Sequence, residues 1–307
     1  MTGLMDEGPR LLRGGPVATA IREQVAADVA AFRAEFGVAP ALAVLVVGRD
    51  APSAVYLHKI LDGCRLVGIE DRLVELGADA AEADVQAAIR AIQSDPAVAG
   101  LIVQQPLPRG IALRAVIDVL DPRRDIDGIH PLNAGLLSLG YDGFLPATAH
   151  ASVELLKKSG IPLQGRHAVV IGRSNVIGKP AAMLLLREDC TVTVCHSRTE
   201  DLAGVVRTAD IVVVAIGRAN FITGDMLKAG AVVVDVGINV VDGRLVGDVD
   251  FESASRVASA IAPVPGGVGP LTNAILLTHL VRAARDHATG CVPLGAHSLN
   301  MPTPEAR

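Results

Sequence analysis

The sequence contains no tryptophan and only two tyrosines, and aromatic residues make up 2% of it. Half of its 307 residues are nevertheless hydrophobic, so the apolar content is almost entirely aliphatic. Strands rich in valine, isoleucine and alanine are typical of a parallel sheet that is buried on both faces. Only 20% of the residues are charged, which together with the apolar content excludes a disordered chain. A chain of this length predicts about two domains.

Cysteine pairs and metal-ligand spacings are also scarce. The four cysteines, Cys64, Cys190, Cys195 and Cys291, show no CxxC spacing, and a chain of this size does not depend on disulfides. Cys195 is followed by His196, but no second pair of ligands matches it. We therefore expect reduced thiols, no metal site and a cytoplasmic protein.

Long apolar runs and basic runs are missing as well. The N-terminus lacks the apolar core of a signal peptide, and no run reaches the ~18 residues of a membrane-spanning helix. The net charge is −5, with 28 basic and 33 acidic residues, and no stripe of basic and aromatic residues is present. We therefore expect neither a membrane nor a nucleic acid as a partner.

The first half of the chain alternates segments of helix and strand periodicity. Apolar residues at helical spacing, such as Val17, Ile21 and Val25, predict helices, and short apolar segments predict strands. The predicted helices cover residues 16–36, 52–67, 81–92 and 111–120, and the predicted strands cover 41–47, 70–76 and 99–103. This alternation is typical of a parallel α/β layer.

The second half repeats the alternation more sharply from Arg166 onward. A strand, a glycine-containing turn and a helix come first, and three further apolar strands follow. The four predicted strands lie in the segments HAVVIG, CTVTVC, ADIVVVAIG and AVVVDVGIN. We also expect helices over 146–160 and 271–285, and we assign no structure to residues 286–307. The predicted fold class is α/β, with a doubly wound, Rossmann-type nucleotide-binding half.

Candidate chemistry in the first half lies just after two predicted strands. The helix that follows the first strand has Asp50 as its predicted cap, and it carries Tyr56 and Lys59 further on. This phenol and amine, just past the carboxyl end of a strand, form a candidate acid/base pair. Gln104 directly follows the last strand of this half.

The turn from Gly172 to Gly178 follows a strand and opens a helix, as a pyrophosphate site does. Its glycines are six positions apart, so it is not a GxGxxG sequence, and an ordinary βα turn is the alternative. The next strand ends without the carboxylate that an NAD site usually places there. Ser197 and Arg198, with Arg173 in the preceding turn, suit a 2′-phosphate instead, so we expect NADP. A surface loop with one arginine is the alternative.

Two further segments are candidates for ligand binding. The segment 125–128, DIDG, suits a buried carboxylate that accepts two N–H donors from a heterocycle, and a capped turn is the alternative. A single Asp-x-Asp has too few oxygen ligands for calcium. The loop 263–270, PVPGGVGP, has no side chain large enough to fill a core and lets its backbone approach a ligand closely. A plain domain linker is the alternative for this loop.

Seven segments of the chain form a combination that is specific in both content and order. They are VGRDAPSAVY, GLIVQQPLP, DIDGIHPLNAG, VVIGRSNVIGKP, TVCHSRT, VVVDVGIN and PVPGGVGPLT. Together they resemble the bifunctional methylenetetrahydrofolate dehydrogenase/methenyltetrahydrofolate cyclohydrolase family of one-carbon metabolism. The resemblance covers nearly the whole chain.

The resemblance implies an N-terminal α/β folate domain, residues 1–147 with 271–307, and a Rossmann-type NADP domain, residues 148–270, with a cleft between them. The implied partners are tetrahydrofolate derivatives, and the implied assembly is a homodimer. The implied activity is oxidation of 5,10-methylenetetrahydrofolate with NADP, followed by hydrolysis of the methenyl product to 10-formyltetrahydrofolate.

The resemblance also implies roles for individual residues. Tyr56 would stack on the pterin, Gln104 would line the reacting centre, and Asp127 would hydrogen-bond the pterin ring. The residues implied at NADP are Gly172, Arg173, Ser174, Ser197 and Ile238, and those implied at the folate are Pro265, Gly266 and Gly267.

One position departs from the family pattern. The family has a lysine four residues after the tyrosine and four before a cysteine, and Ile60 stands at that position between Tyr56 and Cys64. Lys59 lies one residue earlier and points about 100° away on a helix. We expect an intact dehydrogenase step and a doubtful hydrolysis, in which Lys59 and Gln105 take over part of the lysine's role.

Two other functions stay open on the sequence alone. A nucleotide-binding half is shared by many enzymes, so a dehydrogenase of another small substrate, of the shikimate or amino-acid type, is one alternative. A non-catalytic folate-binding relative, in which the lost lysine marks lost activity, is the other.

Overall fold

The structure is a computed structural model that describes residues 8–48 and 51–290, with the backbone alone for 51–56. The described chain divides into two compact units. One contains the residues up to Val25 and Pro146–Thr278, and the other contains Ala26–Leu145 and the residues from His279 onward. The two-domain α/β fold expected from the sequence is confirmed.

The helices and strands are numbered in chain order. The strands are β1 (Arg10–Leu11), β2 (Ala41–Val47), β3 (Glu70–Leu76), β4 (Val98–Val103), β5 (His167–Ile171), β6 (Thr191–Cys195), β7 (Ile211–Val214), β8 (Val232–Asp235), β9 (Asn239–Val241), β10 (Arg244–Val246) and β11 (Ala260–Ala262). The helices are α1 (Gly14–Phe36), α2 (Ala51–Val67), α3 (Glu82–Ser94), α4 (Leu113–Ile117), α5 (Pro131–Leu139), α6 (Ala147–Lys158), α7 (Gly178–Arg187), α8 (Leu202–Val206), α9 (Phe251–Ser255) and α10 (Val268–Ala288).

The unit around residues 26–145 contains a parallel sheet in the order β3-β2-β4. Every residue of β2 is buried, as expected for a central strand covered on both faces, whereas the edge strand β3 has no fully buried residue. α3 packs on this sheet through Val85, Ile89 and Ile92, whose spacing forms one apolar face of the helix. The carboxyl ends of β2 and β4 therefore lie side by side on a rigid layer.

The other unit contains a six-stranded sheet in the order β1-β11-β8-β7-β5-β6, in which every neighbouring pair is parallel. In the sheet, β5 lies between β6, the next strand in the sequence, and β7, the strand after that. The chain therefore reverses its direction of winding between β5 and β7. In doubly wound sheets, ligands bind outside the carboxyl ends of the strands at this reversal. The sequence prediction of a doubly wound nucleotide-binding half is confirmed.

Some elements differ from the sequence prediction. The helix expected over 111–120 spans only Leu113–Ile117, because residues 108–111 form a turn in which the Ile111 N–H donates to Pro108 O. α10 continues to Ala288, three residues past its predicted end. The rest of the tail from residue 291, to which we assigned no structure, lies outside the described residues.

Three helices, α5, α8 and α9, and four short strands were not predicted from the sequence. α5 has clear boundary signals, since the His130 side chain accepts from the Leu132 N–H, Pro131 opens the helix, and Gly140 ends it at φ +77°. β1, β9, β10 and β11 have only two or three residues each, which is too short for a periodic pattern. Their positions depend on pairing with neighbouring strands.

No helix in the part of the chain that the structure describes is long and apolar enough to cross a membrane. Across residues 8–48 and 51–290, no group of three or more His, Cys, Asp or Glu side chains is arranged to hold a metal ion. Cys64, Cys190 and Cys195 are buried free thiols, and Cys291 lies outside the described residues.

Candidate functional site

α2 begins at the carboxyl end of β2, where Gly48 turns the chain. Gly48 has φ +68°, and its N–H donates to Leu76 O at 2.9 Å. The backbone of Tyr56 lies in α2, while its side chain and the predicted cap Asp50 lie outside what the structure describes. The described backbone thus carries Tyr56 on a helix that starts at a strand end.

The side chains of Ile60 and Lys59 have different surroundings. Ile60 is fully buried, and Lys59 is exposed. Cys64, one turn beyond Ile60, is also fully buried, and burial raises the pKa of its thiol to about 12. The face of α2 that holds Ile60 and Cys64 is therefore packed in the apolar core.

A cavity of about 390 Å³ lies at the carboxyl ends of β2 and β4. Val47 and Gln104 line it from the strand ends, Leu57 and His58 from α2, and Glu75 from β3. Its size falls within the range of sites for small organic ligands.

Gln104 is 8% exposed, and its backbone N–H donates to Leu45 O at 2.9 Å. Its side-chain Nε2 donates to Gln105 O at 3.1 Å, whereas its buried Oε1 accepts no hydrogen bond from any described residue. An unpaired buried amide oxygen costs about 1–3 kcal/mol. Gln104 therefore offers an unpaired acceptor at the carboxyl end of β4.

His58 and Glu75 line the cavity but were not among the residues predicted from the sequence. On a helix with 100° per residue, the face of Leu57, His58 and Leu61 is centred about 110° from Ile60. Leu57 and Leu61 are four residues apart and mark one face of α2, and this spacing was the sequence signal that could have pointed to the neighbouring His58. The cavity and the core-packed face of Ile60 therefore lie on different sides of α2.

Asp125 and Asp127 have different environments although they are two residues apart. Asp125 is buried and accepts from the N–H groups of Ile129 (3.1 Å) and His130 (2.8 Å) and from Asn133 Nδ2 (2.8 Å). Asp127 is partly buried, and no described residue hydrogen-bonds its carboxyl group. Burial, and then the charge of Asp125, raise the pKa of Asp127 to about 7. Asp125 braces the turn, and Asp127 is available to a ligand.

The turn between β5 and α7 requires glycine at two places. Gly172 has φ +127°, and a Cβ there would lie 2.2 Å from Ala215 O. A Cβ on Gly178 would lie 2.2 Å from Gly172 O. Ser174 Oγ accepts from the N–H groups of Ile177 (3.1 Å) and Gly178 (3.2 Å), which fixes the turn at the start of α7. A tight turn of this kind, which follows a strand at the winding reversal and needs glycine at both ends, fits a pyrophosphate site.

The chain after β6 forms a tight turn with two exposed polar side chains. The His196 N–H donates to Thr199 Oγ1 at 2.8 Å, and the Arg198 N–H donates to His196 Nδ1 at 3.1 Å. Ser197 and Arg198 are exposed, as is Arg173 after β5. These polar groups follow the carboxyl ends of adjacent strands, β5 and β6.

Ile238 follows β8 and is 70% exposed, which is unusual for a large apolar side chain and leaves it free to pack on a ligand. Two buried carboxylates hold its neighbours: Asp235 accepts from the Gly237 N–H, and Asp248 accepts from Asn239 Nδ2. Neither carboxylate was predicted from the sequence. The signal available for Asp235 was a carboxylate at the end of an otherwise apolar strand.

The loop 263–267 follows β11 and is fixed to the start of α1. The Gly14 N–H donates to Gly266 O at 3.0 Å, and the Gly267 N–H donates to Pro263 O at 2.7 Å. A Cβ on Gly14 would lie 2.0 Å from Gly267 O, so the two backbones are in close contact. Pro265 is exposed. Because the loop is fixed by these backbone contacts, the alternative that it is a plain domain linker is disfavoured.

The predicted site residues fall into two groups, each within one unit. Gln104, Asp127 and the backbone of Tyr56 belong to the three-stranded unit. The other group follows the carboxyl ends of strands in the six-stranded sheet and comprises Gly172, Arg173, Ser174, Ser197, Ile238, Pro265, Gly266 and Gly267.

This fold and these strand-end sites define a two-domain α/β protein of the dinucleotide-binding class. Family models match both parts of the chain: the tetrahydrofolate dehydrogenase/cyclohydrolase catalytic domain over residues 12–127 and the NAD(P)-binding domain of the same family over 146–288. The chain belongs to the tetrahydrofolate dehydrogenase/cyclohydrolase family.

Relatives support this assignment over almost the full length. Bifunctional protein FolD of Roseiflexus sp. (strain RS-1) is 49% identical over 276 residues, covering 90% of this chain and 96% of that protein. The bifunctional FolD structure from Campylobacter jejuni has a TM-score of 0.87 at 40% identity, covering 90% of this chain and 98% of that one. The Trypanosoma brucei FolD structure, complexed with NADP cofactor and inhibitor, has a TM-score of 0.87 at 35% identity, covering 92% and 99%. The family resemblance seen in the sequence is confirmed.

Proposed function

We propose that this chain is an NADP-dependent 5,10-methylenetetrahydrofolate dehydrogenase. The observation that carries the proposal is the turn at the winding reversal that requires glycine at positions 172 and 178. It lies next to a strand end with Ser197 and Arg198 and no carboxylate. Hydroxyl and guanidinium groups suit a 2′-phosphate, whereas NAD sites usually present an acidic residue. The NADP bound to the T. brucei relative supports the same cofactor.

The proposed reaction requires mainly alignment. A hydride leaves the methylene carbon of the folate, and the lone pair of the adjacent ring nitrogen forms the C=N bond of the methenyl product. NADP, when bound, accepts this hydride. Gly172, Arg173 and Ser174, in the turn before α7, would hold the pyrophosphate, and Ser197 and Ile238 would contact the rest of the cofactor. Holding both reactants in one geometry supplies a large share of the rate enhancement.

We propose the residues at strand ends of the three-stranded unit as the folate site. Tyr56 stacks on the pterin, Gln104 lines the reacting centre, and the Asp127 carboxylate accepts N–H donors of the pterin ring. The unpaired Gln104 Oε1 and the absence of described partners at the Asp127 carboxyl support these roles. The loop 265–267 borders the folate as well.

The second reaction of the family adds water to the methenyl carbon and opens the ring to 10-formyltetrahydrofolate. This step needs a group that accepts a proton from water. Ile60 provides no such group, and Lys59 is exposed. We therefore propose a strong dehydrogenase with a weak hydrolytic activity, in which Lys59 and Gln105 carry what remains.

We also propose a cytoplasmic homodimer with the folate domain over 1–147 and 271–307 and the NADP domain over 148–270. Exposed apolar side chains on the β9–β10 hairpin support an interface, among them Val240 (65% exposed) and Leu245 (45%). The edge strand β6 is a second surface suited to pairing.

A substrate panel tests the proposed function against its alternatives. The purified chain is incubated with NADP⁺ and, separately, with 5,10-methylenetetrahydrofolate, shikimate and small amino acids, and NADPH fluorescence is recorded. We expect NADPH with the folate alone. NADPH formation with another substrate and none with the folate would establish a different dehydrogenase, and tight binding of both folate and NADP⁺ without turnover would establish a non-catalytic relative.

A further inference from the structure

Two buried carboxylates at the carboxyl edge of the six-stranded sheet take no part in the proposed hydride transfer or hydrolysis. Asp235 is the last residue of β8, and Asp248 follows β10. Both are buried, and within the described residues neither forms an ion pair. Buried charges are costly unless hydrogen bonds compensate them, so the partners of these two groups indicate what they do.

Asp248 accepts hydrogen bonds from three successive backbone N–H groups of the loop after β7. Its Oδ2 accepts from the N–H groups of Ile216 (2.7 Å) and Gly217 (2.9 Å), and its Oδ1 accepts from the Arg218 N–H (2.8 Å) and from Asn239 Nδ2 (2.9 Å). Successive backbone N–H groups that converge in this way form an anion-binding concavity. Here the chain's own carboxylate fills the concavity, so the loop has one fixed shape.

Asp235 in turn holds Asp248 and the loop after β8. It accepts from the N–H groups of Gly237 (2.9 Å), Asp248 (3.0 Å) and Val249 (2.9 Å). Glycines make both approaches possible, because a Cβ on Gly237 would lie 2.2 Å from Asp248 Cγ and one on Gly247 would lie 1.8 Å from Asp235 Oδ2. The two carboxylates and two glycines form one closed network.

This network fixes the surroundings of the nucleotide turn. The loop after β7 starts next to Ala215, whose carbonyl oxygen lies 2.2 Å from where a Cβ on Gly172 would be. In the loop after β8, Gly237 is held by Asp235 and Asn239 by Asp248, so the exposed Ile238 lies between two fixed residues. Both loops follow strands that end at the proposed cofactor site.

We propose, on the basis of the proposed function, that Asp248 is a positioning residue for NADP and that Asp235 keeps Asp248 in place. Asp248 holds residues 216–218 and Asn239, and Asp235 holds Gly237, in their binding conformation before the cofactor arrives. Ordering these loops then costs nothing at the moment of binding, which strengthens affinity without any contact between Asp248 and the cofactor.

The test is Asp248→Asn in the full-length chain. The asparagine side chain has an NH₂ group in place of one carboxylate oxygen. Whichever way the amide is turned, this NH₂ group faces N–H donors, so the hydrogen bonds that one oxygen of Asp248 accepts are lost. We expect the dissociation constant for NADP⁺, measured by calorimetry, to rise about tenfold or more. The KM for methylenetetrahydrofolate should change by less than about threefold, because the folate site is not affected.

Asp210→Asn is the control, because Asp210 accepts from the His167 N–H (3.0 Å) and pairs with Lys228 Nζ (2.6 Å) at the opposite, amino-terminal edge of the same sheet. It should leave the dissociation constant within about twofold of the wild-type value. Equal NADP⁺ affinity in Asp248→Asn and the wild type, or equal losses in Asp248→Asn and Asp210→Asn, would overturn the inference.

If Asp248→Asn does not fold, Asn239→Ala replaces it, since this change removes one donor and leaves the backbone hydrogen bonds in place. It should weaken NADP⁺ binding by about threefold to tenfold, and unchanged affinity would also overturn the inference. A folded wild-type chain that does not bind NADP⁺ would contradict the proposed function instead.

Discussion

At the scale of single residues, Asp125 and Asp127 show how neighbouring carboxylates acquire different roles. The sequence DIDG predicted either a ligand for a heterocycle or a capped turn, and the structure assigns the turn to Asp125, which accepts two backbone N–H groups and Asn133 Nδ2. Asp127 has no hydrogen bond from the described residues and a pKa raised to about 7. Periodicity alone could not separate them, because their partners come from the folded turn.

The raised pKa of Asp127 predicts a pH-dependent dehydrogenase. An ionised carboxylate accepts N–H donors with both oxygens, whereas the protonated carboxyl carries a hydrogen on one of them. The active form is therefore the one present above the pKa. The kcat/KM for methylenetetrahydrofolate should be constant above about pH 7 and fall about tenfold per pH unit below it.

Two variants test whether Asp127 is the group whose titration produces this pH profile. Asp127→Asn should lose at least about tenfold in kcat/KM and should show no step near neutral pH. Asp118→Asn, which changes an exposed carboxylate paired with Arg114, should keep the wild-type profile. The same step in Asp127→Asn would mean that another group titrates.

At the scale of elements, α2 contains the position at which this chain departs from the family pattern, and this position bears on the hydrolysis and not on the hydride transfer. A lysine at position 60 would place an amine four residues after Tyr56, while its aliphatic stem stays in the core. We expect Ile60→Lys to speed hydrolysis of methenyltetrahydrofolate by about tenfold or more, measured by the decay of methenyl absorbance. The melting temperature should fall, because an ammonium group is brought close to buried apolar side chains.

Two further variants of α2 complete this test. Ile60→Met keeps an apolar side chain of similar volume without an amine, so it should leave the hydrolysis rate unchanged. Lys59→Ala should slow the residual hydrolysis of the natural chain. A rate equal to that of the parent would show that Lys59 does not carry this step.

The elements also show how far sequence reasoning reaches. β2 and β3 have the predicted bounds because apolar or alternating runs of seven residues give a clear pattern. β9, β10 and β11 were missed because three residues have no periodicity. Asp235 and Asp248 were missed because most of their donors are backbone N–H groups more than ten residues away in the sequence, which only tertiary structure brings together.

At the scale of the whole molecule, the sequence predicted both the domain organisation and the family. The two α/β halves predicted two domains, and the motifs and their order predicted the family. The resemblance carried most of the site, since a turn such as Gly172–Gly178 is by itself only a βα connection. It did not reveal which side chains are buried. The core position of Ile60 and the cavity wall formed by His58 required the structure.

The proposed homodimer is also a property of the whole molecule. Light scattering of the purified chain should give twice the chain mass of 31.7 kDa. Val240→Glu and Leu245→Glu, both at exposed apolar positions of the β9–β10 hairpin, should shift the mass toward that of one chain. A wild-type mass of 31.7 kDa would contradict the dimer.

The central claim is that this chain oxidises methylenetetrahydrofolate with NADP⁺ and hydrolyses the product slowly. It is tested most directly by following NADPH, methenyltetrahydrofolate and 10-formyltetrahydrofolate together in one reaction of the purified wild-type chain. We predict one NADPH for each folate oxidised, with methenyltetrahydrofolate accumulating ahead of the formyl product. No NADPH in the presence of both substrates would contradict the account.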